Sequence, residues 1–335
     1  MARAAPTQRR RRLGGFPSPN SVEQRGANEL VAVNASQRAK RRAPNYLRLE
    51  ARDGFLFTLP FLVGVLLFWA GPMLYSLFLV TQEWSMLSAP EFVGLQNFAR
   101  LAKDELVAIS LWNTSFYTFI AIPLQLAVAF ALALGLNQGI KGTGIYRTVF
   151  YLPSITPAVA SAVVWLQIFN TDYGVLNSLL GVFGLPHLKW LWDPKLAKPA
   201  FILMSLWSVG PSMIIFLAAL QNVPVEMLEA AEIDGANAFE KFRHITLPMV
   251  SPVVLFNMVM GIIGSFQVFT ASFVMTGGGP QNATLFTVLY IYHLGFRMFD
   301  MGFAATLSWC LFLIIMVFTL IQVRLSGRWV YYEMG

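Results

Sequence analysis

Residues 111–136 read LWNTSFYTFIAIPLQLAVAFALALGL, 26 positions without one Asp, Glu, Lys, Arg or His. A helix rises about 1.5 Å per residue and the hydrocarbon core of a bilayer is about 30 Å thick, so roughly 20 mainly apolar residues suffice to cross it. Five further stretches meet that condition with the same five residue types absent: approximately Phe55–Val80, Thr148–Phe169, Phe201–Leu220, Val253–Met275 and Ala304–Val323. One such stretch could be a buried core helix, but six in one chain predict an all-α membrane protein with six transmembrane helices. Composition agrees, since 56% apolar and 12% charged residues over 335 positions exclude an ordinary water-soluble globule.

Basic residues are retained on the cytoplasmic side of a membrane. With the N-terminus inside, segments 1–54, 137–147, 221–252 and 324–335 hold 18 of the 24 Lys and Arg residues, so both termini are expected to be cytoplasmic in a multi-pass inner-membrane protein. The tail supplies 12 of those 18 and dominates the difference. Residues 1–52, with Arg9-Arg10-Arg11-Arg12 and Lys40-Arg41-Arg42, lack apolar periodicity and read as a disordered basic cytoplasmic tail attracted to anionic lipid rather than to nucleic acid. Residues 53–335 then form the membrane domain.

The lone Cys310 falls within the last span, and His187, His244 and His293 are too scattered for a metal site. No catalytic, metal or cofactor-binding residue is expected, and a membrane-embedded enzyme would need a clustered acid, base or metal set that is missing. Three segments are expected outside: Gln82–Ser110, with Trp84 and Phe92 as interfacial anchors and a short surface helix over Arg100–Glu105; Asn170–Pro199, with Trp190 and Trp192; and Thr276–Phe303, opening on the flexible turn Gly277-Gly278-Gly279-Pro280. Prolines 60, 72, 123, 153, 157 and 211 lie in or at the ends of spans, where each interior one bends its helix.

Residues 221–252, between the fourth and fifth spans, are too polar to enter lipid. Pro224 marks a helix start, Glu226 and Glu229 suit the positive end of the helix dipole, and Val225, Leu228 and Ala231 share a face that ends at Gly235. Asn237 and Glu240 have capping-box spacing for a second helix, with Phe239, Phe242 and Ile245 on one side and Pro248 closing it. The result is a helix-turn-helix with a small apolar surface ringed by charge. An amphipathic hairpin lying on the bilayer is the alternative, but five acids (Glu226, Glu229, Glu232, Asp234, Glu240) against Lys241 and Arg243 would be repelled by anionic lipid. A protein partner fits better.

Glu229-Ala230-Ala231-Glu232-Ile233-Asp234-Gly235-Ala236, followed by Phe242-Arg243-His244-Ile245-Thr246-Leu247-Pro248 and Pro252, resembles the EAA loop of ABC importer permeases. The likeness covers roughly residues 50–335 and is similar to the carbohydrate-uptake branch of lactose-, maltose- and glycerol-3-phosphate-type permeases. Supporting stretches are Gly94-Leu95-Gln96-Asn97-Phe98, Tyr151-Leu152-Pro153, Ser265-Phe266-Gln267-Val268-Phe269 and Met275-Thr276-Gly277-Gly278-Gly279-Pro280. The resemblance implies a second homologous permease, two ABC ATPase subunits below, and an extracytoplasmic solute-binding protein delivering a sugar or polyol.

ATP would be bound by the partner subunits, because no Gly-x-x-x-x-Gly-Lys-Ser/Thr loop occurs in these 335 residues. The docking loop would comprise Glu229, Ala230, Ala231, Asp234, Gly235, Phe239, Phe242, Leu247 and Pro248, tied rigidly to the fifth span. Candidates for the substrate path are Asn257, Ser265, Gln267 and Thr270, with Phe266 and Phe269 as stacking surfaces. Spans without charge speak against an ion-coupled secondary transporter, which would also leave the acidic hairpin unexplained.

Overall fold

The computed structural model describes residues 49–331. The expected tail lies outside the described residues up to position 48, and Leu49–Arg52 are already helical. The described residues fall into two units with the boundary between Met73 and Leu74, and the hairpin, the cavities and the C-terminal segment all belong to the second.

Helices α1 (Leu49–Leu79), α3 (Glu105–Leu136), the run Ala238–Met275 and α14 (Met301–Ser326) are each long and apolar enough to cross a bilayer. The third and fourth expected spans are not straight rods. Helix α4 (Thr143–Tyr151) continues through a 3-10 turn to Ile155, then bends by 100° into α5 (Ala158–Ile168). Pro157 explains the break: the residue before a proline is driven out of the helical region, and Thr156 takes an extended conformation at ψ 131°. Helix α7 (Pro194–Ser205) bends by 49° into α8 (Gly210–Gln221), which carries Pro211 in its first turn. Among the described residues there are thus four candidate spans, or six when each bent pair is counted as one.

The outer-segment expectations need adjustment. Arg100–Glu105 is not one surface helix: α2 (Gln96–Leu101) ends within it, and Asp104 caps α3 by accepting from the Val107 amide at 3.1 Å. The fourth span extends back to Pro194 and so includes Lys195 and Lys198, which an uncharged span did not anticipate. Lys198 is accommodated by donating to Asn113 Oδ1 at 3.0 Å and lying 5.1 Å from the Phe116 ring centre. Trp190 donates at 3.0 Å to Asn177 Oδ1 of α6 (Val175–Val182), whereas Trp192 stays exposed. Rather than a loose turn, the glycine-rich segment is closed by Ser272 donating to the Thr284 carbonyl and Thr284 donating to the Gly279 carbonyl.

The core is built around α3. Its fully buried Ala121, Ala129 and Ala133 let neighbouring helices approach closely, as small residues do in membranes. One cluster joins Ala129, Ala133 and Leu136 to Met213, Phe216 and Leu220 of α8 and to Val250 of α11 (Leu247–Phe266). Four-residue spacing puts Ser110, Thr114 and Thr118 in a row along α3. Thr114 Oγ1 meets Thr287 Oγ1 of α13 (Thr287–Tyr292) at 2.9 Å, and Ser265 of α11 donates to Thr118 Oγ1 at 2.9 Å. Away from water these hydroxyls need protein partners, so the row fixes which face of α3 turns inward.

Candidate functional site

The acidic segment starts its first helix and makes its turn where the spacing predicts. Helix α9 (Val225–Ile233) starts after Pro224, with Glu226 in its first turn. It ends in a Schellman motif: the Gly235 amide donates to the Glu232 carbonyl at 3.1 Å, and the Ala236 amide to the Ala231 carbonyl at 2.9 Å. Gly235 sits at φ +83°, the left-handed region that other L-residues avoid. Asn237 then caps α10 (Ala238–Lys241) with a complete capping box: its side chain accepts from the Glu240 amide at 3.0 Å, and Glu240 Oε2 accepts from the Asn237 amide at 2.8 Å. Lys241 bridges the two arms by donating to Glu232 Oε2 at 2.8 Å. That bond, with the lysine's positive charge, holds the Glu232 carboxyl below its usual pKa.

The second arm does not end at Pro248. It passes through a π-helical turn, Phe242–Thr246, directly into α11. Proline explains the irregularity, because Pro248 cannot donate to the carbonyl four residues back and its ring crowds that position; the slipped register relieves both problems. The same device precedes Pro72, where Leu66–Ala70 is π-helical. The hairpin is therefore the end of a long, jointed helical run rather than a separate element hung from a loop.

The expected apolar face divides in two. Phe242 turns inward, 6.1 Å from the Phe130 ring, and Leu228 and Ile245 pack with it against the α3–α8 cluster. Phe239 points outward at 67% exposure and is joined by Val225, Met227 and Ile233, the last at 88%. Helical periodicity had not marked Met227 and Ile233, because they lie off the Val225–Leu228 face. Glu229, Ala230, Asp234 and Gly235 are exposed beside them, Ala231 and Pro248 are half-buried, and Leu247 is 40% exposed at the joint. A void of about 290 Å³, walled in part by Leu228, Phe242 and Thr246, separates the inner side of the hairpin from the ends of α3 and α8.

The substrate-path candidates separate just as sharply. Asn257 is buried and donates to the Val253 carbonyl at 3.0 Å. Ser265 is committed to Thr118, and Phe266 is fully buried between Phe119 and Phe318, 5.6 Å from the latter. Phe269 stacks on Phe273 at 5.2 Å and leans on Tyr292 at 5.4 Å, while Thr270 opens α12 (Thr270–Met275) and is half-buried. Gln267 alone of the six lines a cavity of about 660 Å³ between α11, α13 and α14, where its amide is joined by the Ser308 and Thr319 hydroxyls among Ile, Leu, Val, Phe and Met side chains. Sequence reading missed Ser308 and Thr319, because isolated hydroxyls in an apolar helix carry no periodic signal.

Residues 126–331 match the family described as binding-protein-dependent transport system inner membrane component. A probable ABC transporter permease protein of Bacillus subtilis, YesP, is 41% identical over 292 residues, covering 86% of this chain and 94% of that protein. The trehalose/maltose transport system permease protein MalF of Thermococcus litoralis is 31% identical over 279 residues, covering 83% and 94%. Among solved structures, a chain of a bacterial alginate ABC transporter in complex with an alginate pentasaccharide-bound periplasmic protein superposes with a TM-score of 0.73, covering 83% of this chain and 96% of that one at 23% identity.

Proposed function

The chain belongs to the family of binding-protein-dependent transport system inner membrane components, and on that premise we propose that it supplies one half of the translocation path of an ATP-driven importer. It is a multi-pass membrane permease, a transport protein rather than an enzyme. Its partners in this reading are a second homologous permease, two ATPase subunits that bind the ATP, and an external solute-binding protein. The cargo is a sugar or related polyol, a reading supported by the naming of the Thermococcus litoralis relative for trehalose and maltose and by the hydroxyl-bearing cavity around Gln267.

The observation that carries the proposal is the hairpin of α9 and α10. It presents Val225, Met227, Ile233 and Phe239 to the surroundings among carboxylates, while Phe242, Leu228 and Ile245 anchor its inner side. Exposed apolar side chains rimmed by charge suit a groove on a protein partner. The second arm runs without a loop into α11, so a pull on the hairpin is delivered to the helix whose far end leads into Gln267. ATP-driven closure of the ATPase pair would move that helix and alternate the path between inward- and outward-open states. The Tyr331 amide bonds to Ser251 near the hairpin root, which supports a C-terminus on the hairpin's side of the membrane, the cytoplasmic side in this reading.

Affinity purification of the tagged chain from solubilised membranes, beside a version lacking residues 225–247, tests the reading. Recovery of an ATPase and a second permease with the intact chain, and loss of the ATPase alone with the deletion, is the expected result. Absence of any ATPase under conditions that preserve other membrane complexes would overturn it in favour of an ion-coupled transporter.

A further inference from the structure

Helix α11 has a weak place close to the hairpin. Pro252 has no N–H, so the backbone bond that would reach the Pro248 carbonyl is missing, and Pro248 itself cannot donate to position 244. Two ladder bonds are thus removed within one and a half turns, directly after the π-helical segment Phe242–Thr246. A joint so depleted bends more readily than an intact helix.

The structure repairs it from an unexpected direction. Ser251, only 4% exposed, donates to the Pro248 carbonyl, the acceptor that Pro252 leaves without its usual partner. The same Ser251 Oγ accepts from the Tyr331 backbone amide at 2.9 Å. After α14, Trp329 and Val330 donate back to the Ser326 carbonyl at 3.1 and 2.8 Å, which turns the chain, and Val330 is buried beside the contact. The segment 326–331 is therefore folded back so that its last described amide completes a relay from the end of the sixth span, through one serine hydroxyl, to the orphaned carbonyl in the fifth.

We propose that residues 326–331 form a latch on the Pro248–Pro252 joint, with Ser251 as the positioning residue that sets the resting angle between hairpin and fifth span. The latch restrains bending until force on the hairpin exceeds one shared hydrogen-bond relay. Releasing it makes the joint looser, so that hairpin movement is passed less faithfully to α11. The transport half of this statement rests on the function proposed above; the mechanical half does not.

Tyr331→Pro removes the donated amide and leaves Ser251 in place, Tyr331→Ala retains the amide, Ser251→Ala removes the relay, and Ser251→Thr restores a hydroxyl. Hydrogen exchange of the detergent-purified full chain should show amides of 242–251 opening about fivefold faster in Tyr331→Pro and Ser251→Ala, the factor expected for one net hydrogen bond of about 1 kcal/mol. Tyr331→Ala and Ser251→Thr should match the parent, and the double variant Tyr331→Pro/Ser251→Ala should be no faster than Ser251→Ala. In the ATPase-containing complex the two loosened variants should hydrolyse ATP faster without cargo. Equal exchange in all variants, or additive effects in the double variant, would overturn the latch. Loosened exchange with an unchanged ATPase rate would overturn its role in coupling, and failure to recover any ATPase would count against the functional reading while the exchange data still decided the latch.

Discussion

Substituting Gly235 isolates a backbone effect from every other one. A β-carbon built at this position meets no atom within 4 Å, so crowding contributes nothing to the cost of a side chain. What remains is the left-handed conformation at φ +83°, which costs an L-residue about 1–2 kcal/mol. That range corresponds to a roughly 5- to 30-fold fall in the population of the closed turn. Both Schellman bonds, from Gly235 to Glu232 and from Ala236 to Ala231, depend on that turn and should loosen together. Gly235→Val, being β-branched, should lie at the upper end, Gly235→Ala below it, and Gly235→Asn nearest the parent because asparagine tolerates this region. Hydrogen exchange across 225–241 in the purified chain, with recovery of co-purified ATPase, reads the order. Identical behaviour of Val and Asn, or loss of membrane insertion in step with loss of ATPase, would refute the reasoning.

Asn237→Ala removes half of the capping box and should destabilise α10 by about 1 kcal/mol, seen as faster exchange at 238–241 with α9 unaffected. The Glu232 carboxyl is held below its usual pKa by Lys241, so its contribution to closing the hairpin is fully present above the ordinary carboxylate range and is lost as pH falls through the lowered value. Hairpin exchange should accelerate over that acidic window, and Glu232→Gln should abolish the dependence. Phe266→Ala should cost about 3–5 kcal/mol because the ring is fully buried, whereas Gln267→Ala next to it should change stability by less than about 0.5 kcal/mol yet lower sugar uptake; thermal unfolding in detergent and uptake in whole cells separate the two. Ser265→Ala leaves Thr118 without its partner on α11 and should cost about 1 kcal/mol in the same unfolding measurement.

Much of the hairpin was legible because its signals are local. A proline before a helix, a glycine after it and an Asn-x-x-Glu pair act within three or four residues, and each is found where the spacing puts it. The inward and outward assignment of Phe239 and Phe242 was not legible, since at a spacing of three they share a side of the helix and either could face the cluster. Their division depends on Phe130, which meets Phe242 and packs on Phe216, residues far from it along the chain. Among the path candidates, residue type alone could not tell Ser265 from Gln267. One is committed to Thr118, 147 positions away, and the other opens on a cavity assembled from three helices.

The sequence by itself determined that the chain lives in lipid, where its apolar stretches lie and where the capped hairpin begins and turns, because hydropathy, proline geometry and capping are short-range properties of the chain. Tertiary structure decided which spans are broken, how Lys198 is tolerated, and that residues 326–331 close over a serine in the fifth span. Those outcomes depend on which polar groups, far apart in sequence, find one another once water is excluded, and nothing in local spacing records that choice.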